Sequence, residues 1–156
     1  MPLDDELTAY LEWLSREHPG EVDFVVLYGS RARGTHRPHS DYDLLVGLSA
    51  ESSLTFNERF YEFNPSVALM VEAKPFTPSE LGKMWFKYKR MMLDPLYEGI
   101  VLLDNGAWKH YQEAFKSVME RGILEREGTA WIWHKEREPA DSPLLAEDRR
   151  LQALPW

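Results

Sequence analysis

Two apolar runs, Val22–Tyr28 (Val-Asp-Phe-Val-Val-Leu-Tyr) and 41–48 (Asp-Tyr-Asp-Leu-Leu-Val-Gly-Leu), flank a polar loop that opens with Gly29-Ser30. The first run is rich in β-branched and aromatic residues and has the length of a buried strand. Strands of this kind need a sheet, and a sheet with apolar faces needs helices to cover it. The pair of runs therefore commits the chain to a layered α/β architecture.

The neighbouring segments supply the covering helices. Residues 3–17 place Leu3, Leu7, Tyr10, Leu11 and Leu14 on one helical face, with Asp4, Asp5 and Glu6 at the positive N-terminal end and Pro19-Gly20 as the stop. Residues 52–63 give a weaker helical pattern, and 67–74 (Val-Ala-Leu-Met-Val-Glu-Ala-Lys) read as a third strand. Thr77-Pro78-Ser79-Glu80 forms a capping-box start. The helix it opens carries Leu81, Trp85, Tyr88 and Met92 on one face and Lys83, Lys87 and Arg90 on another. Residues 100–103 suggest an edge strand closed by an Asp104-Asn105-Gly106 turn. Residues 107–122 are helical, with Ala107, Tyr111, Ala114, Phe115 and Val118 as the stripe. The expected fold is α/β (α+β): a small mixed β-sheet flanked by helices, over residues 1–123. Residues 124–156 form a C-terminal extension of unassigned role, expected to be helical, with a short helix at 144–153 after a linker at 138–143. Trp131, Trp133 and Trp156 in this tail are expected in core packing, the alternative being an exposed aromatic partner or self-interface, and His134 is expected to be structural.

At 156 residues the chain is long enough to bury a core without cross-links. It contains no Cys, which excludes a disulfide scaffold, a thiolate zinc site and a Cys nucleophile. Its apolar runs fall far short of the roughly 20 residues of a membrane helix. The acidic start, Met1-Pro2-Leu3-Asp4-Asp5-Glu6, is unlike a signal peptide, so a cytoplasmic location is expected. A net charge of −8, from 18 basic and 26 acidic residues, argues against broad binding to nucleic acid. Positive charge is nevertheless concentrated in one loop (Arg31, Arg33, His36, Arg37, His39) and around Lys83, Lys87, Lys89 and Arg90. Such clusters are either solvated charge runs or a local pocket for a small anion.

The chemistry lies in the loop and the second run. Gly29 after a buried strand lets a phosphate approach the backbone, and the following turn exposes N–H groups and the Ser30 hydroxyl. Asp41 and Asp43, two apart on a strand, point to one face. Two carboxylates side by side repel unless a cation lies between them, and magnesium prefers oxygen ligands together with substrate phosphates. The combination points to a metal–nucleotide site.

Gly29-Ser30, ten residues, then Asp41-Tyr42-Asp43 resembles the signature of the polymerase-β-like nucleotidyltransferase superfamily. Tyr28-Gly-Ser-Arg-Ala-Arg-Gly34 and Ser40-Asp-Tyr-Asp-Leu-Leu45 resemble its small prokaryotic branch, the minimal nucleotidyltransferases. The resemblance is strong over 24–48, and Val71-Glu-Ala-Lys-Pro-Phe-Thr-Pro-Ser-Glu-Leu81 extends it more weakly toward 103. It implies a palm-type fold and Mg2+-dependent transfer of a nucleoside monophosphate, AMP from ATP above all, to a hydroxyl with release of pyrophosphate. Asp41 and Asp43 would bind metal, in a site of two ions, and the Gly29-Ser30 loop would bind the β- and γ-phosphates. Catalytic members usually add a third acid from a neighbouring strand. Glu72 is the acid available at 67–74, where the family more often has Asp; the alternative is a strand-end Glu paired with Lys74. Arg31 and Arg33 would contact triphosphate or acceptor, or else serve loop solubility. Ser40 is grouped with the nucleotide site, where it orients the loop. Arg31 and His36 match the spacing of an Arg-x4-His ribonuclease pattern, which belongs on helices of all-helical domains and is set aside.

The same resemblance implies a HEPN-type toxin as partner, its tyrosine the acceptor and this chain the antitoxin. Competing expectations are a small-molecule (aminoglycoside-like) nucleotidyltransferase and a catalytically silent nucleotide- or partner-binding domain. Self-association is left open.

Overall fold

A computed structural model describes residues 4–142. Leu3 of the first helical stripe, Trp156 and the helix expected at 144–153 lie outside the described residues.

Helix α1 (Asp5–Glu17) is capped by the Asp4 carboxylate, which accepts from the Glu6 N–H at 2.8 Å. β1 (Val22–Tyr28) leads through Gly29 into a single helical turn, α2 (Ser30–Arg33), and a loop then returns to β2 (Tyr42–Leu48). α3 (Phe56–Glu62) starts at a capping box formed by Thr55 and Glu58. After a 3-10 turn at Ser66–Ala68 come β3 (Val71–Phe76), α4 (Pro78–Phe86), α5 (Arg90–Glu98), β4 (Ile100–Asp104) and α6 (Ala107–Glu120). The chain continues into a hairpin of β5 (Leu124–Glu127) and β6 (Ala130–Trp133).

The main sheet has the order β3-β2-β1-β4. β1 runs antiparallel to β2 and β4, and β2 runs parallel to β3. Strand alternation divides the core in two. Val25, Leu27, Leu44, Val46 and Ala73 pack against Leu7, Tyr10 and Leu14 of α1, with the Tyr10 hydroxyl donating to the Phe63 carbonyl at 2.9 Å. On the opposite face Phe24, Val26 and Leu45 pack against Leu81, Met92 and Trp108. β3 lies at the sheet's edge, and the Asn64 side chain pairs with it there, donating to the Ala73 carbonyl at 2.9 Å and accepting its N–H at 2.8 Å. Among the described residues no helix is long and apolar enough to cross a membrane.

Three sequence expectations are corrected. The strand expected at 67–74 starts at Val71, because Val67 and Leu69 point to solvent (57% and 80% exposed) in and after the 3-10 turn. Pro75 is tolerated in it because an edge strand has one side without a ladder. The helix that Leu81, Trp85, Tyr88 and Met92 seemed to continue is two helices. α4 ends in a Schellman motif: the Lys89 N–H bonds the Met84 carbonyl at 2.8 Å, and the Tyr88 N–H bonds Trp85 at 3.0 Å. Its left-handed residue is Tyr88 (φ 51), a position usually held by glycine. The Tyr88 ring packs on Trp85 and Trp133, which offsets the backbone cost. Lastly, the extension from 124 begins as a β-hairpin and not as helix. Leu124, Trp131 and Trp133 join Leu93 and Phe115 in a third apolar cluster, as core packing of the two Trp required.

Asp94 of α5 ties this hairpin to the body. It accepts from the Trp131 indole N–H (2.8 Å), from Arg126 (3.1 Å) and from Arg90 (3.2 Å). The Arg126 guanidinium lies over the rings of both Tyr97 and Trp131, 4.8 and 5.0 Å from their centroids. Asp94→Ala leaves the indole N–H without its acceptor and the guanidinium with the Gly128 carbonyl at 2.8 Å in place of an ion pair. The expected cost is about 1–3 kcal/mol of unfolding free energy in urea titration, with residues 124–133 becoming the first proteolysis site.

Candidate active site

The end of the sheet where β1 finishes gathers the polar residues onto one face. In the register of the strands Tyr28 pairs with Asp43 and Asp43 with Glu72, so the three form a row across β1, β2 and β3. Their side chains share the face of Phe24, Val26 and Leu45, at the point where the apolar covering gives out. Asp41, exposed and just ahead of β2, has the parity of Asp43.

Gly29 is required here. Its backbone (φ 77, ψ −158) lies in a region open essentially to glycine alone, and a Cβ at this position would come within 2.5 Å of Asp43 Oδ2. Its carbonyl accepts from Ala32 and Arg33 (both 3.1 Å), so the N–H groups of Ser30 and Arg31, the first of α2, have no intrahelical acceptor.

The electrostatics combine burial with a mixture of nearby like and opposite charges. The Asp43 carboxyl is raised above its ordinary value of 3.8, first by burial and then by Glu72 and Asp41, against the lowering influence of Lys74 and Arg33. Lys74, two residues beyond Glu72 on the same face, donates to Tyr28 Oη at 2.8 Å and lies 3.4 Å from Glu72 Oε1. Burial works against its charge, but Tyr28, Glu72 and Asp43 together raise its pKa. Tyr28, raised chiefly by burial, is itself held by packing and by a contact of its hydroxyl with Met91 Sδ at 3.7 Å.

Gly29, Ser30, Asp41, Asp43 and Glu72 are thus brought to one strand end. The others are partly spent on the loop. Arg31 donates to the carbonyls of Ser40 (3.0 Å) and Pro38 (3.2 Å) and covers the Tyr42 ring at 4.3 Å. Arg33 pairs with Glu98 of α5 at 2.8 Å. Ser40 Oγ accepts from the Arg37 N–H at 2.9 Å. Sequence reasoning gave Tyr28 no role and treated Lys74 only as a surface partner of Glu72; the signal for both was strand parity with the acids. The carboxylates offer hard oxygen donors suited to magnesium. Among the described residues, however, no three acidic or histidine side chains close into a metal-holding cluster, and the cation against them is Lys74.

Residues 11–76 match the family model described as polymerase beta, nucleotidyltransferase. Among solved structures the chain is similar to a Sulfolobus solfataricus protein assigned as a nucleotidyltransferase (17% identity over 65% of this chain and 80% of that one, TM-score 0.45). It is similar also to a toxin–antitoxin structure with AMP-PNP (16%, 77% and 99%, TM-score 0.44). A third is a chain of the tri-AMPylated Shewanella oneidensis HEPN toxin in complex with an MNT antitoxin (12%, 76% and 98%, TM-score 0.38). Among curated proteins none matches the chain.

The raised Asp43 pKa has a stability consequence. A carboxyl raised in the folded state binds its proton more tightly there than in the unfolded chain, so stability is lost as pH climbs from 3.8 through the raised value. In metal-free protein with EDTA, Asp43→Asn is therefore expected to melt higher than wild type at pH 7. The difference should vanish near the ordinary value of 3.8. Thermal melts at the two pH values check it.

Proposed function

We propose, from the premise that residues 11–76 carry a polymerase-β-type nucleotidyltransferase domain, that this chain transfers a nucleoside monophosphate from a nucleoside triphosphate to a hydroxyl. The observation that carries the proposal is the acid row. Asp43 and Glu72 sit in register on adjacent strands, with Asp41 on the same parity and the Gly29 turn against Asp43. Asp41, Asp43 and Glu72 would hold magnesium, which when bound supplies Lewis-acid polarisation of the phosphates.

The remaining contributions come from the chain itself. The N–H groups of Ser30 and Arg31 and the Ser30 hydroxyl donate to β- and γ-phosphate oxygens, while the missing Cβ of Gly29 makes room for Asp43 behind the turn. Arg33 adds positive charge on the same side. Glu72, the third acid, whose side chain is 40% exposed, takes the acceptor's proton as the acceptor oxygen attacks the α-phosphorus and pyrophosphate leaves. Arg31 clamps the loop that carries Asp41 and acts on the nucleotide only through it.

ATP is the proposed donor. The string at 28–34 and 40–45, which resembles minimal nucleotidyltransferases, supports a HEPN-type partner's tyrosine as acceptor and an antitoxin role. Incubation with each labelled NTP and with a HEPN-type protein encoded beside it, followed by intact-mass analysis, tests both. A nucleoside-monophosphate adduct on the partner is expected, most abundant with ATP. Asp41→Asn and Asp43→Asn should abolish it with the fold retained; adduct at the wild-type rate in both variants overturns the proposal. Glu72→Gln should slow turnover by about 10²–10⁴ with little change in NTP affinity. A Glu72 that only paired with Lys74 would leave turnover unchanged.

A further inference from the structure

Lys74 has no part in the chemistry above, yet it is not a free surface lysine. Its strand position is locked by the Asn64 amide, which binds both backbone groups of Ala73 next door. Its ammonium reaches back along the sheet face to Tyr28 Oη, 2.8 Å away on the strand beyond β2, passing the Asp43 position between them. Glu72 Oε1 is 3.4 Å from it, and the Lys74 side chain is only 23% exposed. Tyr28, its anchor, is packed into the second core cluster. One positive charge is therefore built into the row that carries the carboxylates.

We propose that Lys74 is a positioning residue that acts as the resident counter-cation of the acid row and sets how tightly that row takes a divalent cation. It lets Asp43 and Glu72 be held side by side in a folded protein, and a divalent cation entering the row must do so against its charge. A +1 and a +2 charge a few ångströms apart repel even at the dielectric of water, enough to change a binding constant by about tenfold or more. The proposal rests on the assignment of Asp41, Asp43 and Glu72 as cation ligands. It adds a determinant of metal affinity that lies outside the ligand set.

The test is Mn2+ binding without nucleotide, read from the free-ion electron paramagnetic resonance signal, in wild type, Lys74→Met and Lys74→Arg. Lys74→Met is expected to bind Mn2+ about 10–100-fold tighter than wild type, while Lys74→Arg, which keeps the charge, stays within a few-fold of it. If Lys74→Met does not fold, Lys74→Gln, which keeps a donor toward Tyr28 Oη, carries the same expectation. Mn2+ binding in wild type that is unchanged, or weaker, in the uncharged variants overturns the proposal and reduces Lys74 to a strut for Tyr28, visible only as a lower melting temperature. Absence of Mn2+ binding in all the proteins overturns it too. That last result removes the ligand assignment itself, so the two failures are distinguishable.

Discussion

Like-charge repulsion among Asp41, Asp43 and Glu72 is the constraint around which the site end of the molecule is arranged. Parallel pairing of β2 with β3 sets Asp43 beside Glu72 and leaves no freedom to separate their backbones. Tolerating that requires nearby positive charge, and Lys74 and Arg33 provide it. It also requires room for the Asp43 carboxylate, which the absent Cβ of Gly29 provides.

The rest of the fold holds that strand end rigid. Apolar layers on both sheet faces clamp β1 and β2, whose central residues are almost fully buried. β3 has β2 on one side only, and the Asn64 amide takes the place of a further strand on the other. Arg31, bonded to loop carbonyls and lying over Tyr42, fixes the path by which the chain reaches Asp41. These supports lie away from the chemistry and decide its geometry.

Legibility varied with how local the cause was. β1 could be read to the residue, because a run of buried apolar residues ended by Gly29 has one local meaning. The α4 start at Thr77-Pro78-Ser79-Glu80 could be read for the same reason. Thr55 and Glu58 carried an equal signal for α3, within the wider span expected at 52–63. The break at Tyr88 was not legible. A tyrosine in the left-handed region is paid for by Trp85 and Trp133, the second of them far along the chain. The hairpin was hidden because Glu125, Arg126 and Glu127 have little strand preference of their own; only Gly128, at the first position of a two-residue turn (φ 60), marked it.

The sequence by itself determined the sheet-and-helix class, the Gly29-Ser30 turn and the shared parity of Asp41 and Asp43, since backbone sterics and strand periodicity act between near neighbours. Tertiary structure decided that Glu72 stands beside Asp43, that Arg31 serves the loop, and that the Lys74 ammonium is held against the acids by Tyr28. Each of those depends on which strand lies next to which and in what register. Those choices are made by the burial of two apolar faces at once, and no stretch of sequence records them alone.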